Sequence, residues 1–490
     1  IAFFGGDPDN FNFPRFDLDV SFLRVYENDK PLQTKDFFKW SEKGAQENEL
    51  SFVIGNPGNT SRLLTVTELE FVRDHGLVDS LLYMSELRGL LTEFQNRGAE
   101  QKRISNGRLF GIENGLKAIK GRHAALLEPA LFNKRIAEEK NLRAKVNANA
   151  KLKKLYGSAW SDIDSAYVDY KNMYKEYGSI EQNNLGSRLF GVAKTLVRAA
   201  EELPKQNEMR YKEFTDSQMP QVKQRLFSSA PINDEFEIAM ITFNLTKMRE
   251  ELGADHAFVK TLFGKKSPVE IANELVKSTK LKEVKTRESY FADGKAAIAK
   301  SKDAMILFAL AFDPEARKLR KYYEENIESK LKKADEKVAQ AQFAVYGSST
   351  YPDATFSMRI SYGAVKGYQQ KDKWIKPLTT IEGAFERHTG SEPFALPESW
   401  LNAKSKMNLQ TPFNFASTND IIGGNSGSPV INKNAEVIGL IFDGNIQSLG
   451  GDYGYDGKQN RAVSVHSAAL IEALKSVYGA SRIVDELKSK

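Results

Sequence analysis

The sequence predicts an α+β fold in which a large helical block separates two β-rich segments. Three observations predict it. From about residue 66 to 343 the composition shifts to Lys, Glu, Ala and Leu, with apolar residues at helical spacing. On either side, short apolar runs are punctuated by turn-forming Gly, Pro and Asn. Beyond 344, Phe356, Met358, Ile360 and Tyr362 alternate with Ser357, Arg359 and Ser361, the period of a strand with one buried face. The expected domains are 1–65, 66–343 and 344–490, in keeping with a chain of 490 residues, longer than one core usually holds.

In the first region, residues 20–26 and 51–54 read as strands, and Gly55-Asn56-Pro57-Gly58 as a turn. The helical block carries explicit start signals. Ser267-Pro268-Val269-Glu270 is a capping box with proline at the first helical position, followed by Ile271, Ala272, Leu275 and Val276 on one face. Asp313-Pro314 reads as the opening of another long helix. In the last region, residues 429–432 and 436–442 flank Lys433-Asn434 as in a hairpin, and 468–477 reads as a final helix.

Composition excludes several classes. A net charge of +6, from 70 basic and 64 acidic residues, is a weak field and argues against a nucleic-acid partner. No run of about 18 apolar residues is present, so no membrane span is expected. Without cysteine there are no disulfides, thiolate metal sites or cysteine nucleophiles. No cofactor and no metal are expected. The chain starts at Ile1 without a charged-then-apolar signal segment, which reads as a processed or truncated piece of something longer.

The chemistry concentrates at Gly423-Gly424-Asn425-Ser426-Gly427-Ser428-Pro429. Its glycines permit a tight turn on which the Ser426 hydroxyl sits beside two backbone N–H groups, those of Gly424 and Ser426, both able to point at one carbonyl oxygen. A nucleophile elbow of the α/β-hydrolase kind requires glycine two residues after the serine, where this chain has Ser428. A two-barrel serine peptidase instead follows its nucleophile with a hairpin whose second strand walls the specificity pocket. Here Val437 to Asn445 is suitably placed, which would set Asp443 and Gly444 at the pocket's mouth, with Gly444 leaving room for a bulky substrate residue.

Several segments in order resemble the bacterial dipeptidyl-peptidase 7 and 11 family of serine peptidases. They are residues 418–430 around the serine, Gly5-Gly6-Asp7-Pro8-Asp9-Asn10-Phe11-Asn12-Phe13-Pro14-Arg15, residues 52–62 with the Gly-x-Pro-Gly turn, residues 112–121 with Asn114, and residues 346–367. The resemblance implies a chymotrypsin-like double β-barrel, its first barrel incomplete here, with a large inserted α-helical cap domain. It implies a His, Asp, Ser triad in which Ser426 is the nucleophile and Asp19, by register to Phe22-Leu23-Arg24, holds the histidine in its working tautomer. Asp17, two residues away, shares a strand face with Asp19 and is separated from it by register alone.

The family's histidine precedes its aspartate, and none precedes Asp19; the five histidines are His75, His123, His256, His388 and His466. The resemblance therefore implies that the segment bearing the base is absent and that the chain as written is inactive. For the substrate's free amine the family uses residues matching Asn10, Asn114 and Asp443, while Phe11 matches a residue lining the first subsite. Glycine after the pocket aspartate accompanies hydrophobic penultimate residues and arginine acidic ones, so Gly444 implies the hydrophobic preference of the dipeptidyl-peptidase 7-like branch. Asp420, six residues before Ser426 as in trypsin-like enzymes, belongs to the shared segment and reads as structural.

The sequence departs from the family at Phe11 and Phe13, where tryptophans are usual, and at Phe16-Asp17-Leu18-Asp19, where His-Thr-Gly-Asp is usual. The implied activity is release of dipeptides from free N-termini of peptides. An endopeptidase of the same fold and a non-catalytic peptide-binding relative are the alternatives. A homodimer and a periplasmic or secreted location follow from the resemblance alone.

Overall fold

Two strands of the first flanking region join the sheet built mainly by the last. The computed structural model describes residues 1–488. Its strands are β1 (Tyr26–Glu27), β2 (Lys30–Pro31), β3 (Lys39–Trp40), β4 (Leu50–Gly55), β5 (Arg359–Ala364), β6 (Tyr368–Gln370), β7 (Lys373–Ile375), β8 (Leu378–Thr380), β9 (Pro412–Ser417), β10 (Pro429–Ile431), β11 (Glu436–Gly444) and β12 (Ala462–His466). One eight-stranded sheet runs β5-β4-β10-β11-β12-β9-β8, with β3 joined to β11 in parallel and the other pairs antiparallel. β4, assigned from sequence to a first barrel half, lies between β5 and β10 in this sheet.

Two closed barrels are not found among the described residues, and the sheet has two ends, β5 and β8. The end of β5 nevertheless meets the end of β9. Val365 bridges Ser417, Lys366 N–H donates to Ala416 O at 3.1 Å, and Thr418 N–H donates to Ala364 O at 2.9 Å. The curl encloses Val53, Val365, Phe415, Val430, Ile438 and Ile441, drawn from both flanking regions. Hydrophobic burial of these side chains, about 1.5–3 kcal/mol each, favours the long-range pairing.

Contacts divide the chain into two compact units. The first holds Ile1–Ser85, Phe110–Ala144 and everything from Tyr346 on, and contains the whole sheet. The C-terminal part of the helix Ala99–Leu127 belongs to it, with Ile119 and Leu126 packed beside Leu69 and Tyr453. The second unit, Glu86–Leu109 with Lys145–Val345, is helical. Its core gathers Leu189, Phe190 and Leu196 of the helix Arg188–Glu202 with Ile241, Leu275 and Phe312. No helix among the described residues is long and apolar enough to cross a membrane.

The capping box is present: Ser267 Oγ accepts from Glu270 N, and the Glu270 carboxylate accepts from Ser267 N. Asp313-Pro314 does not open a helix. That helix, Ala304–Tyr323, is capped by Asp303, and Asp313 sits inside it because its buried carboxylate is held by Arg198 and Arg317, each at 2.6 Å. The C-terminal helix spans Ser467–Ser476 and is followed by another, Ser481–Lys488. Of residues 20–26 only Tyr26 is in a strand, the short β1 paired with β2.

The alternating residues Phe356, Met358, Ile360 and Tyr362 are not buried; Met358 is 72% and Tyr362 69% exposed. A period of two identifies an apolar face. It does not say whether another layer covers that face.

Candidate active site

The Gly423–Pro429 turn is held from both sides by backbone. Gly427 N–H donates to Ile441 O at 2.8 Å and Ile441 N–H to Ser428 O at 3.0 Å, fixing the turn to β11 two residues before Asp443. Opposite, Gly58 N–H donates to Gly423 O at 2.7 Å, so the Gly-x-Pro-Gly turn backs the serine turn. Gly424 has φ 108, and a Cβ there would stand 2.6 Å from Asn56 O and 2.7 Å from Gly58 N, so both its conformation and its surroundings require glycine. Buried Asn425 closes the loop, its N–H and side-chain amide both donating to Ile422 O at 3.1 Å.

Ser426 itself is exposed. Among the described residues, the N–H groups of Gly424 and Ser426 have no protein acceptor, while their neighbours Asn425, Gly427 and Ser428 all do. Two unsatisfied donors flanking an exposed hydroxyl are suited to an oxygen that gains negative charge.

Asp420 is the bidentate partner of Arg62, at 2.6 and 2.9 Å. This pairing ties the approach to the serine turn to the segment following Gly58, and it leaves the carboxylate engaged within the protein.

The residues expected to hold an amine come together. Asn10 Nδ2 donates to Asn114 Oδ1 at 2.8 Å, and the next residue, Phe11, donates its N–H to Asp443 Oδ2 at 2.9 Å. Phe11 adopts φ 57, an uncommon conformation for a residue with a Cβ. Asn114 is carried on the helix Ala99–Leu127, and one turn later Lys117 donates to Asn10 O at 3.1 Å and to Asp7 O. Arg15 donates from Nη1 to Asp443 Oδ2 at 2.6 Å and from Nε to Asp17 Oδ2 at 2.9 Å. The sequence reading missed both Arg15 and Lys117. Lys117 was signalled by its i, i+3 spacing from Asn114; no local pattern links Arg15 to a carboxylate 428 residues away.

Burial raises the Asp443 carboxyl pKa above its ordinary value, opposed chiefly by Arg15 and then by the N–H groups of Phe11 and Gly444. Asp17, fully buried, is pushed up by burial to about 7 despite Arg15, and its Oδ1 has no partner. Its backbone is fixed by Asn414, which accepts from Asp17 N and donates to Asp17 O, each at 2.8 Å. Asp17 is therefore committed to Arg15. Asp19 is exposed, and among the described residues its carboxylate takes part in no hydrogen bond or ion pair.

Four of the five histidines are engaged elsewhere. His466 is buried at the end of β12; its Nδ1 accepts from Ala468 N at 3.1 Å and its Nε2 donates to Ala45 O at 3.0 Å, which fixes a neutral ring with both nitrogens used. His388 Nδ1 accepts from Leu396 N at 2.9 Å, His256 meets Glu176 at 3.2 Å, and His75 packs on Phe71. None of these contacts involves Ser426 or Asp19. Gly444 does not border open space, contrary to expectation: a Cβ would overlap the Ser448 hydroxyl, which donates to Asn445 O at 2.6 Å. Among the described residues no group of three or more His, Asp or Glu is arranged to hold a metal ion.

A family model described as Peptidase S46 matches residues 1–489. An Asp/Glu-specific dipeptidyl-peptidase of Shewanella putrefaciens is 25% identical, the match covering 99% of this chain and 72% of that protein. A dipeptidyl-peptidase 7 of Phocaeicola vulgatus is also 25% identical, covering 99% and 70%. In fold the chain is similar to the crystal structure of Porphyromonas endodontalis DPP11 in complex with the dipeptide Arg-Asp, with TM-score 0.79 and 22% identity over 100% of this chain and 72% of that one.

Proposed function

The chain belongs to the peptidase S46 family, and from that premise we propose that it is a serine dipeptidyl-peptidase, removing dipeptides from free N-termini by acyl-enzyme chemistry. The observation that carries this reading is the Asn10–Asn114 hydrogen bond beside the Phe11–Asp443 bond. Amide oxygens and a carboxylate gathered at one place are acceptors suited to an ammonium, and a site that binds the ammonium two residues before the scissile bond yields dipeptides. Relatives named as dipeptidyl-peptidases support it.

In the proposed reaction the Ser426 hydroxyl attacks the carbonyl carbon after the second residue. A histidine outside these 490 residues takes the serine proton and Asp19 orients that histidine, a role for which the exposed Asp19 carboxylate is free and Asp17, bound by Arg15, is not. The N–H groups of Gly424 and Ser426 hold the oxyanion. The proton passes to the leaving amine, and water then releases the dipeptide and restores the serine. On this reading the 490 residues alone are inactive. The meeting of β5 with β9 supports reading the curled sheet as the second, serine-bearing barrel.

For the penultimate residue we propose a hydrophobic preference by likeness of the Asp443-Gly444 pair to the dipeptidyl-peptidase 7-like branch, not from open space at Gly444, although the relatives include both dipeptidyl-peptidase 7 and Asp/Glu-specific enzymes. A homodimer and a periplasmic or secreted location are proposed by likeness to the family. One observation favours a second reading as an endopeptidase: Asp443 Oδ2 is already filled by Arg15 and Phe11. Digesting one peptide with a free and with an acetylated N-terminus, using the full-length natural polypeptide, separates the two. Dipeptide release from the free form alone supports the first reading, and equal cleavage of both supports the second.

A further inference from the structure

Arg15 is buried where residues 9–17 meet the end of β11. Its Nη1 donates to Asp443 Oδ2 at 2.6 Å and to Asp9 O at 2.7 Å, while Nε and Nη2 lie 2.9 and 2.8 Å from Asp17 Oδ2. The guanidinium carbon lies 5.4 Å from the centroid of the Phe442 ring. Each nitrogen thus has an acceptor, and the planar fork is locked. The consequence falls on Asp443. Its Oδ2 accepts from Arg15 and from Phe11 N, whereas Oδ1 accepts only from Gly444 N at 2.8 Å. A carboxylate oxygen accepts about two hydrogen bonds, so among the described residues only Oδ1 retains a free lone pair.

We propose that Arg15 is a positioning residue that sets amine specificity, holding Asp443 so that one oxygen, Oδ1, is left to accept from the substrate's ammonium. This inference rests on the dipeptidyl-peptidase reading above. A carboxylate with two open oxygens would take a water or a metal ion as readily as an ammonium. With one oxygen open and Phe11 bonded to the other, the ammonium is held in register with Asn10 and Asn114. Arg15 is also the largest influence opposing the rise that burial gives the Asp443 pKa. The charged groups around the pair are Asp17, Asp9 and Asp19, with Arg387 and Lys117 acting on Asp9 and the Ile1 amino group near Asp17 and Asp19. None of these replaces Arg15 at Asp443.

The test is steady-state kinetics of the full-length natural polypeptide on one peptide with a free and with an acetylated N-terminus, from about pH 5 to 8, for wild type, Arg15→Met and Arg15→Lys. Loss of a charge-assisted hydrogen bond predicts a fall in kcat/KM of about 10- to 100-fold for Arg15→Met on the free peptide, carried by KM. Without Arg15 the Asp443 pKa rises further, so the acid limb of kcat/KM moves to higher pH. Arg15→Lys keeps the charge and loses the fork, so its limb stays near the wild-type position while KM rises about tenfold. A merely structural role would not move the acid limb of one variant and spare the other. An Arg15→Met limb at the wild-type position, or an Arg15→Lys KM equal to wild type, overturns the inference; the second result is readable even if Arg15→Met does not fold. Wild type that cleaves both peptides equally overturns the dipeptidyl-peptidase reading and this inference with it.

Discussion

Asn10 and Asn114 are 104 residues apart in the chain and share a hydrogen bond of 2.8 Å. The bond closes a small polar site within one structural unit, between the segment after Gly5-Gly6 and the helix that also carries Lys117. If this pair accepts the substrate's ammonium, Asn114→Ala should raise KM for free-N-terminal peptides and leave kcat within a few-fold. A lost hydrogen bond to a charged group, about 1.5–3 kcal/mol, corresponds to roughly 10- to 100-fold in kcat/KM. Steady-state kinetics on a chromogenic dipeptide check it; an unchanged KM removes Asn114 from the site.

Gly424→Ala should damage both the fold and the chemistry. Its φ of 108 disfavours any side chain, and the new methyl would press on the backbone at Asn56 and Gly58. Because the Gly424 N–H is one of the two proposed oxyanion donors, kcat should fall by about 100-fold or more. Thermal unfolding and kinetics together check this: a lower Tm with unchanged kcat would keep the glycine as structural and discard the donor.

A Gly444→Arg change, made with Ser448→Ala to clear the hydroxyl that a Cβ would overlap, should move preference from hydrophobic toward acidic penultimate residues. Comparing kcat/KM for Leu- and Glu-containing dipeptide substrates measures it. An unaltered ratio would take Gly444 out of the specificity argument.

His466 gives a stability prediction independent of catalysis. Burial lowers its pKa to about 4, against about 6.5 in an unfolded chain. Above pH 6.5 both states are neutral there and the contribution is complete. As the pH falls from 6.5 to 4 the unfolded chain takes up a proton that the folded ring refuses, so stability drops by up to about 3 kcal/mol. Urea unfolding between these limits should show a shallower pH dependence for His466→Gln than for wild type. Parallel curves would contradict the buried neutral ring.

What the sequence made legible was local. The Ser267–Glu270 box starts a helix because its partners lie three residues apart, and the 429–442 hairpin forms because strand and turn chemistry sit side by side. Asn10, Asn114 and Asp443 were named through their motifs; the structure bonds Asn10 to Asn114 and Asp443 to the adjacent Phe11. What was not legible depends on distant partners. Asp313 looked like a helix start until Arg198, 115 residues away, took its carboxylate. The Met358–Tyr362 alternation marked an apolar face but not what lies over it, and Arg15 carried no local sign of Asp443.

The central claim is that Ser426 is a nucleophile whose oxyanion donors are already in place. Treating the full-length natural polypeptide with a fluorophosphonate, followed by peptide mapping by mass spectrometry, tests it most directly. The predicted result is a single phosphonylated residue, Ser426, lost in Ser426→Ala and strongly slowed in Gly424→Ala. No adduct at Ser426, or an adduct on another serine, would contradict the account.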